Sequence, residues 1–111
     1  MKNISVKIIE DVCIINVLVD RATLKISEEL QTLILDCSAK CSDMIIDLSN
    51  CSFIDSTVIG SLIFVSKKLK ELRVNLFLIK PKEEAFQIIV RMGVIDVFKF
   101  LESPSELLKQ K

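Results

Sequence analysis

The sequence predicts an α/β domain in which helices pack on a mixed sheet, and three observations carry that expectation. Short apolar runs of strand length recur at Val12 to Val19, Met44 to Leu48 and Asn75 to Ile79. The last two each lead into an amphipathic stretch with helical spacing, which is the order that produces parallel strands with helical crossovers. Ahead of the first run, Ile4 to Ile8 alternates apolar and polar residues and is followed by a turn-like break at Asp11, which reads as an antiparallel hairpin. The expected sheet has four to five strands, parallel in its centre and antiparallel at the N-terminal hairpin, with about four helices.

The elements follow in order. Between Ile26 and Ala39, the apolar residues Leu30, Leu33, Ile34 and Cys37 fall at spacings of three and four, and Ser27 before Glu28 and Glu29 is the expected N-cap. Met44-Ile45-Ile46-Asp47-Leu48 has the unbroken apolar character of a strand buried on both faces. Ser49 to Asp55 is then expected as loop. From Ser56 to Leu72, the apolar residues Val58, Ile59, Leu62, Ile63, Val65, Leu69 and Leu72 keep helical spacing, and Lys67, Lys68, Lys70 and Arg73 place cations at the helix C-terminus. No glycine marks the turn that follows, where Arg73-Val74-Asn75 stand, and of these Asn75 can tolerate a left-handed conformation. After the strand Asn75 to Ile79, Pro81 opens a helix running to Met92, with Gly93 as its C-cap. Val97-Phe98 reads as a short extended piece, and Pro104 leads a last helix from Ser105 to Lys109.

Composition limits the function classes. The chain has 111 residues, half of them hydrophobic, enough for one domain spanning 1–111 to bury a core without metal or disulfide staples. Fifteen basic and fifteen acidic residues balance, and the cations are dispersed, so nucleic acid is not the expected partner. No apolar run reaches the roughly 18 to 20 residues of a membrane span, and the N-terminal stretch is broken by Lys7, Glu10 and Asp11, so a soluble cytoplasmic protein without signal peptide is expected. The four cysteines, Cys13, Cys37, Cys41 and Cys51, lack paired metal-ligand spacing, and there is no histidine. Reduced structural thiols and no metal or cofactor are the expectation. With no phosphate-binding glycine loop and no convincing pair of acids, an enzyme is not expected.

In sheets of this kind, functional groups gather where strands end and helices begin. The loop from Ser49 to Thr57 holds that place. Its sequence, Ile45-Ile46-Asp47-Leu48-Ser49-Asn50-Cys51-Ser52-Phe53-Ile54-Asp55-Ser56-Thr57-Val58-Ile59-Gly60, resembles the signature of STAS domains in bacterial anti-sigma-factor antagonists. There, a D-L-S strand end leads to an apolar-D-S-[ST]-G-L-G helix start. The similarity extends from about Ser5 to Phe98, with Gly93-Val94 matching a Gly-Leu-like pair, while Val58 stands where the family usually has glycine.

The resemblance implies a partner-switching protein. Its unphosphorylated form binds an anti-sigma factor, commonly also a serine kinase, and thereby releases a sigma factor. Phosphorylation of Ser56, less readily Thr57, turns binding off, and a serine phosphatase restores it. The implied partner surface comprises Phe53, Ile54, Asp55, Ser56, Thr57 and Val58, on a monomer or weak dimer. The alternative within the resemblance is a regulatory or scaffold subunit of a transport ATPase or a stress-signalling assembly. On the residues alone, Ser56 is expected at or near the helix N-cap, where its hydroxyl or that of Thr57 accepts from a free backbone N–H. Asp55 is either a capping carboxylate or a partner-facing group presenting Ser56, and both roles are compatible. Phe53 and Ile54 are either exposed contacts or core.

Overall fold

A computed structural model describes residues 2–108. Among the described residues seven strands and four α-helices follow one another: β1 (Ile4–Ile9), β2 (Val12–Val17), β3 (Arg21–Ala22), α1 (Leu24–Cys37), β4 (Asp43–Asp47), β5 (Phe53–Ile54), α2 (Ser56–Glu71), β6 (Asn75–Ile79), α3 (Glu83–Arg91), β7 (Phe100–Leu101) and α4 (Ser105–Leu108). Single 3₁₀ turns occupy Ser38–Lys40 and Ile95–Val97. Five strands form one sheet in the order β1-β2-β4-β6-β7, antiparallel between β1 and β2 and parallel elsewhere. This is the mixed α/β architecture expected from the sequence.

Side-chain alternation along the strands splits the interior in two. Cys13, Ile15 and Val17 of β2, with Met44 and Ile46 of β4 and Leu78 of β6, face the side covered by α1, α2 and α3. Val12, Ile14, Ile45 and Ile79 point to the opposite side, where Leu107 of α4 closes a smaller cluster. The unbroken apolar runs Val12 to Ile15 in β2 and Met44 to Ile46 in β4 are what strands covered on both faces require. The hairpin turns in two residues, since Ile9 pairs with Val12. Glu10 takes a left-handed conformation (φ 55°), and the Asp11 carboxylate accepts from the Ser42 hydroxyl, tying the turn to the start of β4.

Several boundaries differ from expectation for identifiable reasons. α1 begins at Leu24 after Thr23, not at Ser27, because β3 pairs in parallel with β5 and holds Arg21–Ala22 extended up to the helix. Ser27 lies a turn inside α1, where it is buried and donates to the Thr57 carbonyl at 3.0 Å. The same pairing makes Phe53–Ile54 a short strand within the expected loop. After α2 the left-handed residue is Arg73 (φ 60°) and not Asn75, which starts β6 and donates its amide to the Asp43 carboxylate at 2.9 Å. α3 starts at Glu83, not Pro81, since the Lys82 N–H is engaged by the Cys51 carbonyl at 3.0 Å. Gly93 (φ 73°) does follow α3 in the left-handed region. Val97 closes a 3₁₀ turn, and the extended piece is Phe100–Leu101, which pairs with Leu78–Ile79. Of the last predicted helix, Lys109 lies outside the described residues.

Leu62 sits at the middle of α2, fully buried in the larger cluster. Leu62→Ala is therefore expected to lower unfolding free energy by about 2 to 5 kcal/mol, through lost transfer energy and a residual cavity. Urea denaturation checks this: the midpoint falls while the slope stays that of the parent.

Candidate functional site

β4 ends at Asp47, whose carboxylate accepts from the Ser49 N–H at 2.9 Å and tightens the departing chain into a turn. Leu48 and Cys51 remain buried in the core, so the loop is anchored from below. It then runs alongside β3: Ser52 and Phe53 donate their N–H groups to the Asp20 carbonyl at 2.8 and 3.2 Å, and Asp55 donates to the Ala22 carbonyl at 3.1 Å. The Ser52 hydroxyl also reaches the Asp20 carboxylate at 2.6 Å. Above this ribbon the Arg21 guanidinium stacks 4.1 Å from the Phe53 ring centroid, a cation–π contact.

The ribbon delivers the chain to α2 with Asp55 in the N-cap position, extended at φ −88° and ψ 173°. One oxygen of its carboxylate, Oδ1, accepts from the N–H groups of Thr57 and Val58, both at 3.1 Å, and from the Thr57 hydroxyl at 2.5 Å. The cap is thus Asp55, not the hydroxyl of Ser56 or Thr57, because only a carboxylate one residue earlier reaches both free N–H groups from extended backbone. Ser56 is the first helical residue. It is exposed, and its hydroxyl has no hydrogen-bond partner among the described residues.

The six residues expected to meet a partner therefore divide. Ser56 and Thr57 are exposed, and Asp55 and Phe53 are partly accessible. Ile54 and Val58 are corrected to core: both are fully buried, since β5 points Ile54 inward and Val58 starts the apolar stripe of α2. Val58 lies in regular helix, where a β-branched residue fits, and its side chain does not reach the surface beside Ser56. One turn along from Ser56 stands Gly60, exposed, with no heavy atom within 4 Å of where a Cβ would be.

Sequence reasoning did not find the second layer of this site. Asp20 and Arg21 come from a segment some thirty residues earlier, brought in by the β3–β5 pairing. From α1, Ser27 donates to the Thr57 carbonyl and shares a short hydrogen bond with Ser61, which in turn reaches Gln31 at 3.2 Å. This polar seam fixes the start of α2 against α1. The spacing Ser27 to Gln31 on an otherwise apolar inner stripe was the available signal.

Burial pushes the Cys51 thiol up to about 11, reinforced by the negative charges of Asp20 and Asp47, and burial with the neighbouring Cys41 does the same for Cys13. Cys13, Cys37, Cys41 and Cys51 are all free thiols. The site holds carboxylates and hydroxyls at a helix start, with no group of three or more metal-ligating side chains among the described residues.

A surface hydroxyl on a capped helix N-terminus, at the carboxyl end of a central parallel strand, defines a domain that presents one polar residue on a rigid platform. The STAS domain profile matches residues 3–107, and the chain belongs to that family. Among solved structures, an anti-sigma-factor antagonist (STAS) domain protein from Planctomyces limnophilus has the same fold, with a TM-score of 0.82 at 20% identity over 99% of this chain and 98% of that one. The anti-sigma factor antagonist SpoIIAA of Bacillus, in its unphosphorylated form, gives 0.80 at 13% identity over 96% and 94%. The murine anion transporter Slc26a9 gives 0.75 at 20% identity over 92% of this chain but only 18% of its own length. No curated protein matches by sequence. Among the described residues no helix is long and apolar enough to cross a membrane.

Asp55→Ala is expected to cost about 1 kcal/mol, within a range of roughly 0.5 to 2, whereas Asp55→Asn retains most of the cap; thermal unfolding of the two variants separates them. The thiols give a second test. Cys13 and Cys51 are raised above 9.0 in the fold, so on going from pH 9 to about 11 the unfolded chain loses protons that the native state keeps. Stability is therefore complete below pH 9 and falls through this window, read as a declining urea midpoint that Cys51→Ala makes shallower.

Proposed function

We propose that this protein is an anti-sigma-factor antagonist that works by partner switching, with Ser56 as the switch. The observation that carries the reading is the division of labour at the start of α2. Asp55 and Thr57 are committed to the cap, and Ser56 alone offers an exposed, unengaged hydroxyl on fixed backbone. In this reading the unphosphorylated surface around Ser56, Phe53 and Asp55 docks on an anti-sigma factor that is also an ATP-dependent serine kinase. Phosphorylation at Ser56 releases it, and a serine phosphatase resets the switch. The chain acts as a single cytoplasmic binding domain, without catalysis, cofactor or nucleic-acid contact, as a monomer or weak dimer.

The physics supports a switch at the interface and not in the fold. A phosphate brings about −1.5 to −2 charges, which a helix N-terminus favours by roughly 0.3 to 1 kcal/mol. The same charge near the Asp55 carboxylate, at about 5 Å, raises the local energy by roughly 1 to 3 kcal/mol per charge pair for dielectrics from about 80 down to about 20. A partner that desolvates this patch meets the upper end of that range. Since about 1.4 kcal/mol is tenfold in affinity, binding falls by one to two orders of magnitude while the domain stays folded.

The likeness to the Slc26a9 fold supports a second reading, in which the domain is a regulatory module of a transport assembly. Affinity capture from the source cells discriminates: recovery of an anti-sigma kinase supports the first reading, and recovery of a transporter supports the second.

The decisive experiment is phosphopeptide mapping after incubation with the candidate kinase and ATP, together with binding of Ser56→Ala and Ser56→Asp to the anti-sigma factor. Modification at Ser56 and at least tenfold weaker binding of Ser56→Asp, about 1.4 kcal/mol, are expected. Parental affinity of Ser56→Asp eliminates the switch.

A further inference from the structure

Helix α2 is about 24 Å long, and its far end from Ser56 borders a different surface. There the last turn of α2, the start of β6 and the segment leading into β7 enclose a cleft of about 420 Å³. Lys67, Lys70, Arg73 and Lys99 line it, with no acidic residue among the lining groups. The floor is apolar: Val74 and Phe98 are buried, Leu76 is half-buried, and Val97 stands at the lip with 48% of its surface exposed.

Cations near a helix C-terminus often do no more than offset the helix dipole. That account reaches only part of this cleft. The terminal carbonyls of Lys68, Leu69 and Lys70 already accept backbone N–H groups from Leu72, Val74 and Arg73, and Arg73 and Lys99 lie beyond the helix. None of the four cations forms an ion pair with a described carboxylate. Asp43, opposite Asn75 in the sheet, is buried and takes the Asn75 amide. Lys99 rests its ammonium 5.8 Å from the Phe77 ring centroid. Arg73 holds the left-handed position that glycine occupies without strain, at a cost of about 1 kcal/mol for a residue with a Cβ. The turn thus carries a guanidinium at the cleft where its backbone favours no side chain at all.

We propose that this cleft binds a small amphiphilic anion, a phosphate or carboxylate carried on a short apolar body. Its volume falls within the roughly 300 to 1,000 Å³ of small-molecule sites, which pair an apolar lining with a few charged groups. The Arg73 fork and the Lys67 and Lys70 ammonium groups supply the anion's partners, and Val74, Leu76 and Val97 the contact for its apolar part. Such an anion comes either free in solution or as a lipid at a bilayer surface, and the two sources offer the same chemistry to the cleft.

Octyl phosphate is the probe, titrated into isotope-labelled protein and followed by amide NMR. Saturable shifts are expected at Val74, Leu76, Val97 and Lys99. Octanol and inorganic phosphate, each carrying one half of the chemistry, are expected to bind at least tenfold more weakly, tenfold being about 1.4 kcal/mol. Arg73→Gly keeps the left-handed turn and Lys70→Ala keeps the helix. The double variant, with its fold verified by its amide spectrum, is expected to lose at least tenfold in affinity. Absence of saturable shifts at these residues, octanol or inorganic phosphate binding as tightly as octyl phosphate, or an unchanged affinity in the double variant overturns the proposal. Sedimentation with phosphatidylglycerol–phosphatidylcholine vesicles separates the sources. Cosedimentation that octyl phosphate and the double variant both abolish assigns the ligand to a bilayer, and octyl phosphate binding without cosedimentation assigns a soluble anion. Cosedimentation without octyl phosphate binding overturns the cleft.

Discussion

The structure depends on one strand being covered from both sides. β4 lies between β2 and β6, and Met44, Ile45 and Ile46 are all fully buried, two facing α1 to α3 and one facing α4. Its neighbours β2 and β6 are both parallel to it, and parallel neighbours need crossovers, here the helices α1 and α2, which themselves cover one face. Its polar ends are consumed locally, Asp43 by Asn75 and Asp47 by the Ser49 N–H. The strand therefore terminates sharply, and the chain that leaves it has a defined starting point and direction.

What leaves it is held with little freedom. The β3–β5 ribbon sets the N-termini of α1 and α2 side by side, and Ser27 joins them through the Thr57 carbonyl. Asp55 satisfies two of the free N–H groups of α2 with one oxygen. The backbone under Ser56 is thus ordered before any partner arrives, and association does not have to meet the entropy of ordering a loop. The side chain at the centre of that surface is small and uncommitted, so a change of its charge would leave the packing beneath it intact.

Much of this was legible in the sequence, for reasons that differ by element. β4, α2 and β6 announce themselves because burial on two faces writes an apolar run, and burial on one helical stripe a period, into about five or more residues. β3 and β5 have two residues each, too few for any period, and their pairing depends on contacts some thirty positions apart. Asp55 and Ser56 were legible from the motif they share with STAS domains. The capping role fell to Asp55 because extended backbone before the helix puts a carboxylate, not the next hydroxyl, over the free N–H groups. Ile54 and Val58 entered the expected partner surface because they adjoin Ser56 in sequence, whereas strand alternation and helical rotation turn both into the core. Arg73 was passed over because nothing local favours arginine in a left-handed turn.

Gly60 gives the surface around Ser56 a particular relief. A glycine inside a helix sacrifices roughly 1 kcal/mol relative to alanine, and here no neighbouring atom crowds the position. Four residues after Ser56, it lies on the same side of α2 and leaves the helix backbone bare there. The two together put little side-chain bulk on this side of the helix, with the exposed Phe64 one turn further along. The relief of this face is therefore set by the absence of side-chain bulk, and its contour is distinctive as well as its charge.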